Sequence, residues 1–403
     1  MDPREAKQSH RPGLPGGPTE KRVTEAAPTG AELLARFDAP RPLTIGVEEE
    51  VMVLDPETLD LAPRATEALA LAGLDTDPRF KLELPASQLE IVTPPAARID
   101  EIERALWAAR AALAAGVDGR VGLAVAGAHP FASAQGALRG GPRLSRLESE
   151  YGPIARLQLI CGLHVHVALA GADRVLAVHN ALRAYLPELS ALAGNAPFYG
   201  GLDSGMASVR PTIASVLPRQ GVPPPLATWD EFAEDLRWGL AGERLGGLGE
   251  WWWELRPHPR LGTLEVRVPD AQTTVAEAAA VAAAVAALVV RLGERHDAGE
   301  LPPPTPEWRI RENRWSAARH GVDGTMVDLE TGRLHPTRER LHALLDELAP
   351  AAAGFADPRH LDRAHLLAER SGAVRQREVA ADRGLPGLMA WLSDRFLQEP
   401  GGG

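Results

Sequence analysis

The chain has 403 residues, of which 45% are hydrophobic and 24% are charged, and its formal net charge is −11. This acidic balance argues against a general binder of nucleic acid or of anionic membranes, although it is compatible with a nucleotide whose phosphates are masked by metal ions. Cys161 is the only cysteine, which excludes an intrachain disulfide and favours a reducing compartment.

The remaining global features concern targeting and domain organisation. No apolar run approaches the length of a membrane span, and the N-terminus lacks the apolar segment of a signal peptide. The sequence therefore predicts a cytoplasmic protein with no membrane partner, and it leaves homo-oligomerisation open. We predict a disordered leader over residues 1–41, with a short helix near its end, because this stretch is rich in Pro, Gly and charge. A catalytic domain over 42–350 and a helical extension over 351–403 follow.

The elements predicted in chain order mix strands and helices. Strands are expected at 44–54, 81–93, 121–128 and 157–170, and helices at 98–115, 173–192, 229–240 and 274–292. Residues 195–222 read as a long loop, residues 251–255 and 263–268 as paired strands, and residues 306–403 as largely helical. This order lacks a regular βαβ rhythm, which favours an α+β fold over a doubly wound one.

The first strand carries three consecutive carboxylates. Side chains alternate along a strand, so Glu48 and Glu50 face one way and Glu49 the other. Two carboxylates on one buried face repel each other and lose hydration, and a divalent cation that prefers oxygen ligands, Mg²⁺ or Mn²⁺, would compensate them. The alternative is an exposed edge strand with a solvated acidic face.

Two later strands repeat the same spacing. His164 and His166 share one face, and so do Glu265 and Arg267. Alone, the histidine pair is typical of a satisfied core histidine with a surface neighbour, and the Glu–Arg pair is typical of a cross-strand ion pair. The occurrence of all three pairs at strand spacing in one chain favours a functional site.

A fourth acidic segment contains Glu83 and Glu90. Their odd separation would place them on opposite faces of a regular strand, but Pro85 makes a regular strand unfavourable there. A kink or bulge would bring both carboxylates to one face, and Glu90 is the stronger candidate of the two.

These residues resemble the glutamate–cysteine ligase type 2 family of carboxylate–amine ligases, distant relatives of the glutamine synthetase catalytic domain. The resemblance runs in order from about Leu43 to Leu348. The matching segments are Gly46-Val47-Glu48-Glu49-Glu50, Ser87-Gln88-Leu89-Glu90 with Thr93-Pro94, Gly127-Ala128-His129-Pro130-Phe131, Cys161-Gly162-Leu163-His164-Val165-His166-Val167, Asp203-Ser204-Gly205 with Ala207-Ser208, Arg256-Pro257-His258, Gly262-Thr263-Leu264-Glu265-Val266-Arg267-Val268, and Glu312-Asn313-Arg314-Trp315 with Ala318-Arg319-His320-Gly321.

The resemblance implies a glutamine synthetase-like α+β fold in which a curved antiparallel sheet lines the active site and helices lie outside. It implies ATP, two Mg²⁺ or Mn²⁺ ions, a small carboxylate substrate such as glutamate, and an amine such as cysteine. Carried over residue by residue, the assignment is as follows: Glu50, Glu90 and, less surely, Glu83 for one metal; Glu48, His164 and Glu265 for the other; Arg267 at the γ-phosphate; His166 near the nucleotide phosphates; and Arg256 for phosphate or the acceptor carboxylate.

Some positions depart from the family pattern. Met206 and Leu144 stand where the family often has aromatic residues, and residues 213–215 replace a usual tryptophan. These departures put the identities of the carboxylate and the amine in doubt, so a ligase of natural-product biosynthesis with another acceptor stays open. Two further alternatives are a metal-dependent hydrolase, since HxH on a strand also suits Zn²⁺, and a degenerate member that binds without turnover.

Overall fold

In the computed structural model, which describes residues 26–399 (backbone only for residues 142–144), an antiparallel sheet is covered by helices. The strands are β1 Thr44–Leu54, β2 Phe80–Leu82, β3 Gln88–Val92, β4 Gly122–Ala124, β5 Leu163–Ala168, β6 Phe198–Tyr199, β7 Leu202–Asp203, β8 Leu255–His258, β9 Thr263–Val266, β10 Thr325–Val327 and β11 Leu334–Pro336. The helices are α1 Gly30–Asp38, α2 Ala65–Ala72, α3 Ile99–Val117, α4 Pro142–Tyr151, α5 Ala172–Leu182, α6 Leu186–Leu192, α7 Arg210–Ala214, α8 Trp229–Ala241, α9 Val275–Asp297, α10 Glu307–His320, α11 Thr337–Ala352, α12 Pro358–Glu369 and α13 Gly372–Asp394.

The main sheet has the strand order β2-β3-β1-β5-β9-β8, with β4 paired to the far end of β1. The long first strand is therefore central, and antiparallel neighbours flank it on both sides. Two short hairpins, β6–β7 and β10–β11, lie apart from this sheet. This arrangement confirms the predicted α+β class.

Helix α9 is the central helix of the layer behind the sheet. Its first turn is fixed by a capping box between Thr274 and Glu277, and nearly all of its alanine and valine side chains are buried against β5 and the helices α3, α5, α11 and α12. Among residues 26–399 it alone is long and apolar enough to cross a membrane, but 83% of its apolar window is buried inside the protein. The prediction that no apolar run approaches the length of a membrane span was therefore wrong. The apolar run that it missed is a core helix, which has the same composition as a membrane span because it is buried on all sides.

The ends of the described chain belong to the same core. Helix α1 is capped by Thr29 and packs against α5 and α8, where Phe37 stacks on Trp229 at a centroid distance of 4.5 Å. It forms inside the segment predicted as a leader, of which residues 1–25 lie outside the described residues. At the other end, α12 and α13 pack against α9 and β4, and α13 bends at Gly384, where φ is 68°.

Several predicted element boundaries were wrong. The strand predicted at 251–255 begins only at Leu255, and β8 pairs with β9 in a register that sets Arg256 opposite Glu265. The helix predicted at 173–192 is broken into α5 and α6 around Pro187, and the strands predicted at 81–93 and 157–170 are shorter. Proline and the limits of the pairing partners, which local periodicity does not encode, set these ends.

Candidate active site

The register of the sheet brings the predicted polar side chains onto one face. Glu48 lies opposite His164 on β5, and Glu50 lies opposite Glu90 on β3. His166 lies opposite Glu265 on β9, which in turn faces Arg256 on β8. Since side chains at paired positions of antiparallel strands project from the same side, a polar row crosses five strands.

A cavity of about 530 Å³ opens over this row. Its floor includes Glu48, Glu50, Glu90 and His164, and its walls come from the segment after β2, the start of α7 and the segment before β8. A volume of this size is typical of sites for small molecules. The cavity is therefore the candidate active site.

One end of the floor is a cluster of three carboxylates. Oxygens of Glu50, Glu83 and Glu90 lie within 4.8 Å of one another. Glu83 reaches the cluster because β2 ends at Leu82 and the chain turns through Pro85 into β3, so the two residues do not share one regular strand. The structure thus brings together the three residues predicted to hold the first metal.

The three carboxylates carry perturbed pKa values. Burial, partly offset by the charge of Arg210 and the Gly162 N–H, raises the pKa of Glu50 to about 7. Burial and the neighbouring Glu50 raise the pKa of Glu83 to about 7, and burial with the charges of Glu48 and Glu83 raises that of Glu90 to about 8. Since like charges in a desolvated site oppose ionisation, the cluster is strained unless a cation or protons compensate it.

A second cluster lies toward β9. It contains Glu48, His166 and Glu265, whose ligand atoms lie within 4.8 Å, while His164 lies between Glu48 and Glu90. The Nδ1 of His164 is 3.3 Å from Glu48, whereas Nε2 of His166 is buried without a hydrogen-bond partner among the described residues. The predicted second metal set therefore differs from the geometric one in its histidine.

Burial, together with the charge of Arg267, lowers the pKa of His164 to about 3, so this imidazole is neutral at physiological pH. Burial opposes ionisation of Glu48, but the hydrogen bond with His164 and the nearby Nε2 of His166, 3.6 Å away, outweigh it and hold the pKa of Glu48 below the ordinary range. A neutral histidine beside an ionised carboxylate is the protonation state that metal ligation requires.

Glu265 is held by two arginines. Arg256 donates to it from Nε at 2.6 Å and from Nη2 at 3.1 Å, and Arg267 donates from Nη1. Burial raises the pKa of Glu265, but the charges of Arg256 and Arg267 outweigh it and hold that pKa well below the ordinary value. The carboxylate is ionised and compensated within the protein.

The two arginines differ in the donors they have left. Arg256 also donates from Nη1 to the carbonyls of Gly249 and Trp251, so four of its five N–H groups are used. Arg267 bonds only through Nη1 to Glu265 and His164 among the described side-chain contacts, and it lines the cavity. The geometry therefore leaves Arg267 free to contact a ligand and gives Arg256 a positioning role.

The sequence analysis missed two cations of the cavity. The Lys81 ammonium lies 3.0 Å from Glu90 and 3.2 Å from Glu48, and Arg210 donates to the carbonyls of Val268 and Arg267 while its charge acts on Glu50. Strand alternation could have indicated Lys81, because it is two residues from Glu83 and would share its face. Nothing in the local sequence marks Arg210, because it reaches the cavity from α7 by a long-range approach.

Cys161 and Met206, which were discussed above, do not line the cavity. Trp252 lines the cavity, but Cys161 is buried and its pKa is raised well above the ordinary value by burial, so its thiol stays protonated. Met206 does not line the cavity and packs instead in a small hydrophobic cluster with Ala128 and Ile160.

The chain was compared with known proteins. Residues 44–386 match the family model described as glutamate–cysteine ligase family 2. A Rubrobacter xylanophilus protein named "Putative glutamate--cysteine ligase 2-3" is 38% identical over 366 residues, covering 89% of this chain and 98% of the relative. A Thermobifida fusca protein named "Putative glutamate--cysteine ligase 2" is 34% identical over 363 residues, covering 87% and 89%.

Solved structures show the same fold at low sequence identity. A glutamate–cysteine ligase from Francisella tularensis, in complex with AMP, superposes with a TM-score of 0.66 at 15% identity, covering 89% of this chain and 90% of that one. A bifunctional glutathione synthetase from Pasteurella multocida gives a TM-score of 0.61 at 14% identity, covering 92% of this chain and 54% of the other.

Proposed function

Since the chain belongs to glutamate–cysteine ligase family 2 and is an ATP-dependent carboxylate–amine ligase, we propose that it joins the γ-carboxylate of glutamate to an amine such as cysteine through an acyl phosphate. The names of its relatives and the cavity chemistry support this proposal. The observation that carries it is one cavity floor that combines two carboxylate clusters with an arginine whose donors are largely unused.

The residues fit a pair of divalent cations. Glu50, Glu83 and Glu90 offer only oxygen ligands, which suits Mg²⁺ or Mn²⁺, and their raised pKa values reflect burial and mutual repulsion that Lys81 and Arg210 offset only in part. Glu48, with the unpartnered Nε2 of His166, would hold the second ion beside Glu265. When bound, such cations neutralise charge on a transferring phosphoryl group.

The protein's own side chains have distinct tasks in this reaction. Arg267 is assigned to the γ-phosphate of ATP because its Nε and Nη2 donors have no protein partner among the described residues, and Arg256 fixes the orientation of Glu265. Fixed donors aimed at developing charge lower a barrier without reorganisation. His166 is held by Thr263 at 3.0 Å and is assigned a place near the nucleotide phosphates.

The chemistry then balances without a covalent enzyme intermediate. A carboxylate oxygen of the substrate forms a bond to the γ-phosphorus of ATP, and the bond from phosphorus to the β-γ bridging oxygen breaks, which releases ADP. The amine nitrogen next attacks the acyl carbon, phosphate leaves, and the nitrogen loses a proton to solvent. Glutamate, ATP and amine give amide, ADP and phosphate.

The acyl phosphate can be trapped. Incubation with glutamate, ATP, Mg²⁺ and hydroxylamine is expected to give γ-glutamyl hydroxamate with one ADP per hydroxamate and no AMP, because hydroxylamine needs no dedicated amine pocket. Arg267→Gln should abolish the product, whereas Arg311→Gln on the exposed face of α10 should leave it unchanged.

The acceptor follows from the same assay with cysteine, other amino acids or polyamines in place of hydroxylamine. AMP with pyrophosphate would refute the acyl-phosphate route in favour of an adenylate. Absence of hydroxamate from a broad panel of carboxylates would refute the ligase reaction itself.

A further inference from the structure

A second cavity shares no lining residue with the candidate active site. It has a volume of about 410 Å³ and is formed by the start of α9, the end of α12 and both halves of the bent helix α13. Its most frequent lining residue is arginine, at positions Arg363, Arg370, Arg375, Arg383 and Arg395.

Several of these guanidinium donors have no partner. Arg375 bonds Glu277 through Nη1, but its Nε and Nη2 are buried without a hydrogen-bond partner. Among residues 26–399, neither Arg363 nor Arg395 has a carboxylate within ion-pair distance. Arg395 donates to the Trp391 carbonyl at 3.4 Å and lies 4.0 Å over the Trp391 ring. Buried N–H groups without acceptors are costly, so the two free donors of Arg375 point to a missing acceptor.

The acidic residues of the cavity do not supply it. Of the four carboxylates that line the cavity, Glu277, Glu378 and Asp382 each already bond an arginine of the same cavity, namely Arg375, Arg370 and Arg383. The fourth, Glu399, is exposed and forms no ion pair among the described contacts. Burial, with the like charges of Arg375 and Arg383, also lowers the pKa of Arg395. The five arginines of the cavity therefore outnumber its four carboxylates, and Arg363 and Arg395 take no part in its described ion pairs.

We propose that this cavity binds the phosphate group of a small phosphorylated metabolite. Guanidinium groups match phosphate oxygens with paired, charge-assisted hydrogen bonds, which makes clustered arginines typical of phosphate recognition. The volume also exceeds what inorganic phosphate alone would fill and lies in the range of small-molecule sites. This proposal does not rest on the ligase reaction proposed above.

The position of the cavity connects it to the catalytic sheet. Thr274 and Arg395 line it, and the carbonyls of the adjoining residues, Thr273 and Phe396, accept hydrogen bonds from Arg110. Arg110 in turn holds Glu49 on β1. A ligand that restrains the start of α9 and the end of α13 therefore acts on the residues that fix the catalytic strand.

The test uses inorganic phosphate as the probe in calorimetric titrations of the full chain without ATP, with chloride at matched ionic strength as the reference. Phosphate is expected to bind one site with Arg267→Gln present, which weakens the catalytic cavity as a competitor. In that background, Arg395→Gln should weaken binding by about tenfold or more, since a charge-assisted hydrogen bond is lost. Arg311→Gln is the matched charge control and should leave the affinity unchanged.

Arg375→Gln should weaken phosphate similarly, but it also strands the buried Glu277, so Arg395→Gln decides the result if the first variant fails to fold. A phosphorylated sugar should bind more tightly than inorganic phosphate, and its parent sugar should not bind. Equal affinity in the Arg395→Gln and control proteins, or a phosphate response that chloride reproduces, would overturn the proposal.

Discussion

The two faces of β1 both carry glutamates, but the charge of these glutamates is compensated differently on each face. On the inner face, Glu49 is fully buried and is held by Arg110 at 2.6 and 2.8 Å. The remaining N–H groups of Arg110 donate to the carbonyls of Gln272, Thr273 and Phe396, so all five donors are used. On the cavity face, Glu50 belongs to a cluster of three carboxylates, with Glu83 and Glu90, in which Lys81 is the one cation in ion-pair contact among the described residues.

This contrast separates structural charge from functional charge. A buried ion pair with every donor and acceptor satisfied needs nothing from outside, and removing one partner is costly. A buried carboxylate cluster with raised pKa values is unfavourable in its fully ionised form unless protons or a bound cation compensate it. Neighbouring residues of one strand can therefore serve folding and catalysis separately because side chains alternate.

The largest effect is expected at Glu265, which is both paired with arginines and a proposed metal ligand. Glu265→Gln removes both a proposed metal ligand and the carboxylate that Arg256 and Arg267 share. It should reduce ADP formation at least about 10²–10³-fold and lower the free energy of unfolding by roughly 3–5 kcal/mol, because two buried guanidinium groups lose their partner. ADP assays and denaturant titrations measure the two effects, with Glu339→Gln as a surface control. If ADP formation is lost while the free energy of unfolding is unchanged, Glu265 acts only as a metal ligand and does not stabilise the fold.

Arg110→Met tests the structural face alone. It leaves Glu49 buried without a partner and three carbonyls without donors, so we expect a loss of roughly 3–5 kcal/mol in the free energy of unfolding. The double variant Glu49→Met/Arg110→Met should recover part of that loss, because the uncompensated charge is gone. A single variant within about 1 kcal/mol of the original protein would contradict the structural role.

Glu90→Gln tests the functional face alone. Ligase turnover should fall by about 10²–10³-fold, as expected for a lost electrostatic contribution of roughly 3–4 kcal/mol. The free energy of unfolding should not fall, because one of three mutually repelling carboxylates is removed. Glu57→Gln, in an exposed turn, is the control. A large loss of stability in Glu90→Gln would show that the cluster holds the fold together and would erase the distinction between the faces.

The sequence predicted the family, the α+β fold and the ligase activity, and these predictions are confirmed. Period-two alternation also predicted that Glu48 with Glu50, and His164 with His166, would share a face, because this follows from strand geometry alone. The residue assignments themselves remain predictions. The sequence did not predict Arg110 as the partner of Glu49, nor Lys81 and Arg210 in the cavity. These contacts depend on strand register and on helices that meet far apart in the chain.

The smallest expected effect is a pH dependence that only the functional face produces. The folded pKa values of Glu50, Glu83 and Glu90, about 7, 7 and 8, lie above their ordinary value of 4.5. The metal-free folded protein then binds more protons than the unfolded chain, so its stability falls as pH rises through these values. Four histidines with lowered pKa values, His129, His164, His179 and His258, act in the opposite direction, mostly below about pH 7.

Between pH 6.5 and 8 the carboxylate cluster therefore makes the larger contribution to the pH dependence of stability. Across this range, the melting temperature in EDTA should fall, corresponding to roughly 1–2 kcal/mol for this coupled group. Saturating Mg²⁺ should remove most of the fall, because it takes the place of the protons and binds more tightly as they leave. Glu90→Gln should flatten the EDTA curve, while Glu57→Gln should not. A Mg²⁺-induced shift that is the same at pH 6.5 and pH 8 would mean that the cluster does not bind the ion, and the contrast between the two faces of β1 would lose its functional meaning.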